Sequence, residues 1–525
     1  MPDAQSRVQF EHLAAGSPPE IEWDRESNGK AVIRTSDGSD CWVSIHGDGG
    51  RAFRVASGEE FDARMPSGAV GRRLTVPTAL RWNHPRPGLP SALVVVAAAT
   101  RGNRGQGPMA MSTRCTTDHG HLPVLSLVCN DADLFSGAHG LLVPGETMID
   151  PPVAQAEAYS ADPVFWKYPG NFHQRGKKWE RRAALQLLGP DGAARWTRTA
   201  AIRINGQQTR GLAQHAIRVA FDEPLSDTLF GPGSENLEAM VIRAAGNDQI
   251  KAMMRDAYQH GLCQRLPFDT APALPVVLYI NGAYWGVHHL RPRMDHRELA
   301  RRTGAKAKNI TVVEDNGVLY KGAVDGAASL KGLVDMAERA DPADSAWVRV
   351  LGQGLDVQEF YVYMAAQMIM GNMDWPHQNI RFWRHESGGP GRLDGRWRMA
   401  MGDSDLGFGA QAGPGDDLFR RVRPRTALAS RLLMALLRSE VERERFAAAV
   451  LGLLDGDLSQ AACLRELDRM HALLAPEMTR HCDRWRKPAT MAAWEQEAAL
   501  MRTYALEREG HARAQIARFI TSKGA

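Results

Sequence analysis

Four oxygen-bearing side chains near the middle of the chain have types and spacing suited to chemistry. Asp374 and Asn379 lie five positions apart in GNMDWPHQNIRFWR, and Asp403 and Asp405 flank a single residue in DGRWRMAMGDSDLGFG. Phosphoryl transfer from a metal-bound nucleotide asks for such a set: one carboxylate beside the attacking hydroxyl, and an amide oxygen and a second carboxylate for Mg²⁺. Each residue also has a purely structural reading. Asp374, just ahead of Trp375 and Pro376, could turn a chain leaving a helix. Asn379 could satisfy loop backbone groups, and Asp403 and Asp405 could face water at a strand end. Spacing alone leaves both readings open, because such pairs recur by chance in loops.

Two apolar stretches, YVYMAAQMIM and RWRMAM, lead into the two groups and would position them. Protein kinases carry an Asp and an Asn on one loop at the same separation, with a metal-binding Asp on a later strand-loop before Phe-Gly. Here Asp405 is followed by Leu406, Gly407, Phe408 and Gly409.

The 525 residues allow two or three domains. With 44% hydrophobic and 24% charged residues the composition is that of an ordinary globular chain. A formal net charge of +4, from 64 basic and 60 acidic residues, gives no reason to propose a nucleic-acid partner. The six cysteines are scattered without a C-x-x-C pair, which argues against structural zinc and for reduced thiols. The start, MPDAQSRVQFEHLAAG, has no apolar core of a secretory signal. The longest apolar run, 92–99, is far below the ~20 residues that span a membrane. The expectation is a cytoplasmic protein without a membrane partner.

Residues 1–118 read as short strands broken by Gly, Asp and Pro, which predicts a small β-sandwich domain. Residues 119–525 read as a second unit, β-rich over about 119–300 and helical over about 301–525. The fold class expected is therefore α+β. AIRINGQQTRGLAQHAIRVAF predicts a hairpin whose Gly206–Gly211 loop could cover phosphates, with Arg210 and Arg218 as the nearest cations. PVVLYINGAYWGVHHL predicts a hairpin turning at Asn281-Gly282, with Trp285 a packed sheet residue. MVIRAAGNDQIKAMMRDAYQHGL predicts a strand leading to a helix capped by Asn247 or Asp248, with Ile250, Met253, Met254 and Tyr258 as its apolar stripe. FGAQAGPGDD is flexible by composition, either a substrate-facing loop or an inert one.

The two signature stretches resemble those of the spore-coat protein H (CotH) kinase family, atypical protein kinases with a much-altered kinase-like fold. LPVLSLVCNDADLF, AAIRINGQQTR, MVIRAAGND, VVLYINGAYWGVHHLRPRMD and PEMTRHCDRW resemble further family blocks in the family's order, so the likeness covers roughly residues 120 to 520. It implies a kinase-like domain with a β-rich and a helical lobe, using ATP and Mg²⁺ or Mn²⁺ to phosphorylate Ser or Thr of a protein. Asp374 would be catalytic, and Asn379, Asp403 and Asp405 would serve the metal.

Two departures stand out. Where the family carries a Pro-Lys-Lys-Ser-like stretch, with a Lys expected at the phosphates, this chain has Ala213, Gln214, His215 and Ala216. Where a Glu is expected to pair with that Lys, it has Pro292. Losing both avoids an unpaired buried charge. Arg210, Arg218 or a protonated His215 is the expected substitute for the cofactor contact, although Arg and Lys are not equivalent there. The readings to separate are an active kinase, a catalytically impaired kinase-like scaffold, and a nucleotide-sugar glycosyltransferase using Asp403-Ser404-Asp405 as its metal motif.

Overall fold

The computed structural model describes residues 18–521 apart from 25–29, 46–52, 64–84, 87–91, 102–104, 150, 163 and 165–167. The start of the chain, read above for a secretory signal, lies outside the described residues, as do parts of the expected sandwich. Among the described residues the architecture is mixed α+β, with several sheets followed by a largely helical second half.

At the N-terminal end, β1 (Glu20–Trp23), β2 (Lys30–Arg34) and β5 (Glu60–Asp62) form one sheet. β3 (Cys41–Ile45), β4 (Phe53–Val55), β6 (Leu93–Arg101) and β7 (Gly105–Arg114) form another, in the order β4-β3-β6-β7. Ala31 and Ile33 from the first sheet meet Cys41, Val43, Val95 and Ala97 from the second in one apolar cluster. β2 buries Ala31 and Ile33 in alternation, the period-two pattern of a sheet with one face inward, whereas β6 is buried continuously over 93–98.

Seven strands then close into a barrel: β8 (Val124–Cys129), β9 (Arg181–Leu188), β10 (Ala194–Asn205), β11 (Ala216–Leu225), β12 (Leu237–Arg243), β13 (Leu274–Ile280) and β14 (Ala283–Pro292). Their order is β10-β11-β12-β14-β13-β8-β9. The interior is filled by Leu125, Leu185, Ile202, Val219, Met240, Leu278 and their neighbours. The hairpin expected at Asn281-Gly282 forms β13–β14, and both turn residues have positive φ, 49° and 75°. Period-two alternation also fixes the outer face. Inward Ile217, Val219, Met240, Ile242 and Leu290 leave Arg218, Val241, Arg243, His289 and Arg291 pointing out.

Short helices α1 (Asp131–Phe135), α2 (Glu146–Ile149) and α3 (Val153–Ala161) follow β8. Helix α4 (Arg255–Leu262) packs on the barrel's outer face, where His289 Nε2 meets Met253 O at 2.7 Å and Arg291 pairs with Asp256. The expected cap is partly displaced. Asp248 sits in a 3-10 turn, Gly246–Ile250, and reaches forward to accept from the N–H groups of Met254 and Arg255, at 2.9 Å each. Met253, Met254 and Tyr258 of the expected stripe are buried, but Ile250 is exposed because the turn rotates it outward. Helix α5 (His296–Thr303) is capped by Asp295 and stopped by a left-handed Gly304.

A four-stranded sheet, β16-β15-β17-β18, carries the central loops: β15 (Ile310–Glu314), β16 (Val318–Lys321), β17 (Ile380–His385) and β18 (Arg398–Met401). Around it pack α6 (Gly326–Arg339), α7 (Ala346–Gly354), α8 (Val357–Met370), α9 (Leu428–Leu436), α10 (Glu440–Asp455), α11 (Gln460–Trp485) and α12 (Met491–Thr521). Among the described residues no single helix is long and apolar enough to cross a membrane, and the six cysteines are unpaired.

The stretch from Phe408 to Asp417 is pinned rather than loose. Arg508 donates to Pro414 O and Asp416 O at 2.8 and 2.7 Å, Lys251 to Ala410 O at 2.8 Å, and Phe408 N to Met370 O at 2.7 Å. Its composition reads as flexible, but cations from α12 and from the turn before α4 satisfy its carbonyls.

Candidate active site

The two residue groups meet because one hairpin joins them. β17 and β18 pair antiparallel with Ile380 opposite Met401, which sets Asn379 opposite Gly402 at the open end. Gly402 N–H donates to Asn379 O at 3.2 Å. A Cβ on residue 402 would lie 2.4 Å from that oxygen, so only glycine permits the approach. The separation in sequence is spent on the hairpin, and the loops entering β17 and leaving β18 end side by side.

The entering loop starts where α8 stops at Gly371, left-handed at φ 62°. Asn372 is buried and clips the two loops together. Its Nδ2 donates to Asp403 O at 3.2 Å and to Gln367 Oε1 at 3.0 Å, while its Oδ1 accepts from Asp374 N at 3.2 Å. Asn379 Nδ2 donates to the Asp374 carboxylate at 3.0 Å and to its backbone O at 3.1 Å. Asn379 N–H in turn reaches Asp315 Oδ1 at 2.9 Å. The Asp374 side chain is 33% exposed. Burial of the remainder raises its pKa, His377 and the Asn379 amide oppose that shift, and the charge on Asp403 adds to it. Each loop therefore stands within the electrostatic reach of the other.

The leaving loop rests on α4 and on the barrel's outer face. His260 Nε2 meets Gly402 O at 2.9 Å; with Nδ1 accepting from Ala271 N, the proton belongs on Nε2. Gln259 donates to Ser404 O at 2.6 Å, and Asp256 Oδ1 accepts from Ser404 N at 3.0 Å. Asp403 is 26% exposed, whereas Asp405 is nearly enclosed and accepts from Asn247 N at 2.6 Å. Gly246 makes room for that carboxylate: a Cβ there would sit 2.2 Å from Asp405 Oδ2.

Arg243, the last residue of β12, points between the two carboxylates. Its Nη2 lies 2.5 Å from Asp403 Oδ1 and 3.7 Å from Asp405 Oδ2, and its Nε lies 3.1 Å from Asp256 Oδ2. Burial works against ionisation of Asp403, but the Arg243 charge outweighs it and holds that carboxyl below its ordinary value. At Asp405, burial and then the Asp403 charge dominate and push the carboxyl up. The pair thus splits into an ionised, partly open Asp403 and a proton-retaining, enclosed Asp405.

Of the residues expected to contact a cofactor, Arg210 donates to Gly206 O, Phe172 O and Gln174 O at 2.7, 3.1 and 3.1 Å. His215 is buried against the Phe172 ring, and desolvation pulls it down to about 3, so it is neutral at physiological pH and not the protonated substitute expected. Arg218 stands on the outer face opposite Val241, one alternation from Arg243, and lines a cavity of about 250 Å³. Its nearest carboxylate, Glu180, is 3.9 Å away. Burial, then Arg293 and Arg203, lower it to about 10, which leaves it charged.

Asn372, Asp256, Asp315 and Arg243 belong to the site, and sequence reasoning missed their roles. Arg243 and Asn372 lie inside the stretches MVIRAAGND and GNMDWPHQN, but the contacts that tie them to Asp403 are remote in sequence and no local pattern marks them.

Asp403, Asp405 and Asn379 are hard oxygen donors of the kind Mg²⁺ takes, and that ion commonly uses only one or two protein carboxylates besides phosphate oxygens. Among the described residues no three of His, Cys, Asp and Glu converge to hold an ion by themselves. A positive group, the Arg243 guanidinium, already stands between the two carboxylates, so the donor set suits a cation brought in with phosphates.

The chain is thus an α+β protein in which one hairpin joins a carboxylate–carboxamide pair to an Asp-x-Asp loop. The family model for CotH kinase protein matches residues 202–511, and the chain belongs to that family. Among curated proteins none matches it.

Proposed function

We propose that this chain transfers the γ-phosphoryl group of ATP to a Ser or Thr hydroxyl of a protein. The observation that carries the reading is the β17–β18 hairpin, which sets Asp374 and Asn379 beside Asp403 and Asp405. Asp374 orients the acceptor hydroxyl and takes its proton. Its partial exposure lets a substrate reach it, and its raised pKa makes it a better proton acceptor than a free aspartate. Asn379 fixes the carboxylate through one amide hydrogen bond and keeps its oxygen for the cofactor side. Asp403, Asp405 and Asn379 would hold Mg²⁺ or Mn²⁺, which supplies charge neutralisation at the transferring phosphoryl group. Arg218 stands in for the missing Lys as a phosphate contact, with the barrel as the nucleotide lobe and the helices as the acceptor lobe.

One observation favours a second reading. Arg243 occupies the space between the metal-type carboxylates, and the Lys/Glu pair of the family is missing, as expected of a kinase-like scaffold that binds without transfer. The glycosyltransferase reading has little support. Among the described strands only β8 and β13 pair in parallel, so the open parallel sheet it needs is missing there.

Incubation with γ-labelled ATP and Mg²⁺ or Mn²⁺ tests the proposal. Label should move to the protein or a generic acceptor, and Asp403→Ala should abolish it with the fold intact. Stabilisation by ATP without any transfer would support the scaffold.

A further inference from the structure

Arg243 is the one cation inside the Asp403/Asp405 centre among the described residues, and the fold gives it no easy exit. It projects from the outer barrel face under α4 and is mostly buried, at 17% side-chain exposure. Its three carboxylate neighbours are Asp403, Asp405 and Asp256, and Asp256 is already claimed by Arg291 and by the Ser404 backbone. A divalent ion on Asp403 would sit within a few ångströms of this guanidinium, where repulsion between like charges is strong in a largely enclosed site.

We infer that Arg243 is the resident cation of the centre: it neutralises Asp403 while no nucleotide is bound, and it must release Asp403 before a divalent ion can bind there. The released guanidinium then needs a new anion. A nucleoside triphosphate supplies one, since phosphate oxygens match a guanidinium fork. The ion and the nucleotide therefore bind together, and the free ion binds poorly. This inference rests on the reading of Asp403 as a metal ligand.

The test needs no turnover. The full chain is titrated with Mn²⁺, and free ion is read by electron paramagnetic resonance without nucleotide. Arg243→Gln should bind Mn²⁺ at least about tenfold more tightly than the unsubstituted chain, because the competing charge is gone. Arg243→Met, apolar and of similar length, should do the same and serves if the Gln variant is poorly folded. Arg243→Lys, which keeps the charge, should stay weak. A non-hydrolysable ATP analogue should tighten Mn²⁺ binding in the unsubstituted chain much more than in Arg243→Gln. Asp403→Asn should remove the site in either background. The inference is overturned if Mn²⁺ binds at Asp403 but neither neutral variant gains affinity for it, or if the analogue tightens binding equally with and without Arg243. Failure of the kinase reading looks different: no Mn²⁺ bound at Asp403 in any variant, and no label transferred from ATP.

Discussion

Two polar regions flank the barrel, and they differ in where their charges are spent. At the Gly206 loop, Arg210 gives its hydrogen bonds to three carbonyls, and His215 is neutral within the apolar cluster. At the open end of the β17–β18 hairpin, Asp374 and Asp403 keep a quarter to a third of their side chains exposed and influence each other across two loops. In sequence both regions look like candidates for phosphate chemistry. Polar groups satisfied by their own backbone hold a fold together. Polar groups brought together and left partly open are free to act on something else.

The comparison can be broken first at the polar groups spent inward. Asp248 and Arg255 form a buried pair at 2.6 Å, and Asp248 also caps α4. Asp248→Ala should cost about 3 kcal/mol, because α4 loses its cap and the buried Arg255 keeps only Glu497, 2.7 Å away, as a carboxylate partner. Denaturant melts would check this, and a loss below about 1 kcal/mol would contradict it. Next comes Gly402→Ala at the hairpin mouth. The added methyl meets Asn379 O, so stability should fall by about 1–3 kcal/mol, with transfer per folded molecule reduced as well. Arg210→Met should cost about 1–3 kcal/mol by stranding three carbonyls, while leaving transfer per folded molecule unchanged. An equal loss of activity there would place the Gly206 loop in the site after all.

The smallest effect is on pH dependence. Burial lowers His215 and His288 to about 3 and His260, His289 and His481 to about 4. Each binds a proton more weakly folded than unfolded, so the unfolded chain takes up more protons below the ordinary histidine value of about 6.5. The stability these neutral rings contribute is present above that value and is lost as pH falls toward 4 and then 3. Melting temperatures measured from pH 7 down to 4 should decline steadily; a rise over that range would contradict the buried, neutral assignment.

Much of the fold was legible where local chemistry decides it. Asn281-Gly282 marks a turn, and alternation along HAIRVAF sorts the inside of the barrel from the outside. The Asp374, Asn379, Asp403 and Asp405 set could be named as candidates because residue types and spacing suggest it and the stretches that hold it resemble family signatures. What could not be read depends on partners far along the chain. Arg243 reaches Asp403, and Lys251 and Arg508 pin the 408–417 stretch, across separations that no local pattern encodes. The closed barrel is of the same kind, since β8 must find β13 in parallel across about 150 residues of intervening chain.

The most direct test of the central claim is single-turnover transfer from γ-labelled ATP by the unsubstituted chain and by Asp374→Asn, with thermal melts of both. The substitution keeps the shape and the Asn379 contact but removes the proton acceptor. Transfer should fall by about 10²–10⁴-fold with little change in melting temperature. Transfer at the unsubstituted rate in Asp374→Asn would show that the chemistry does not run through the loops this hairpin joins.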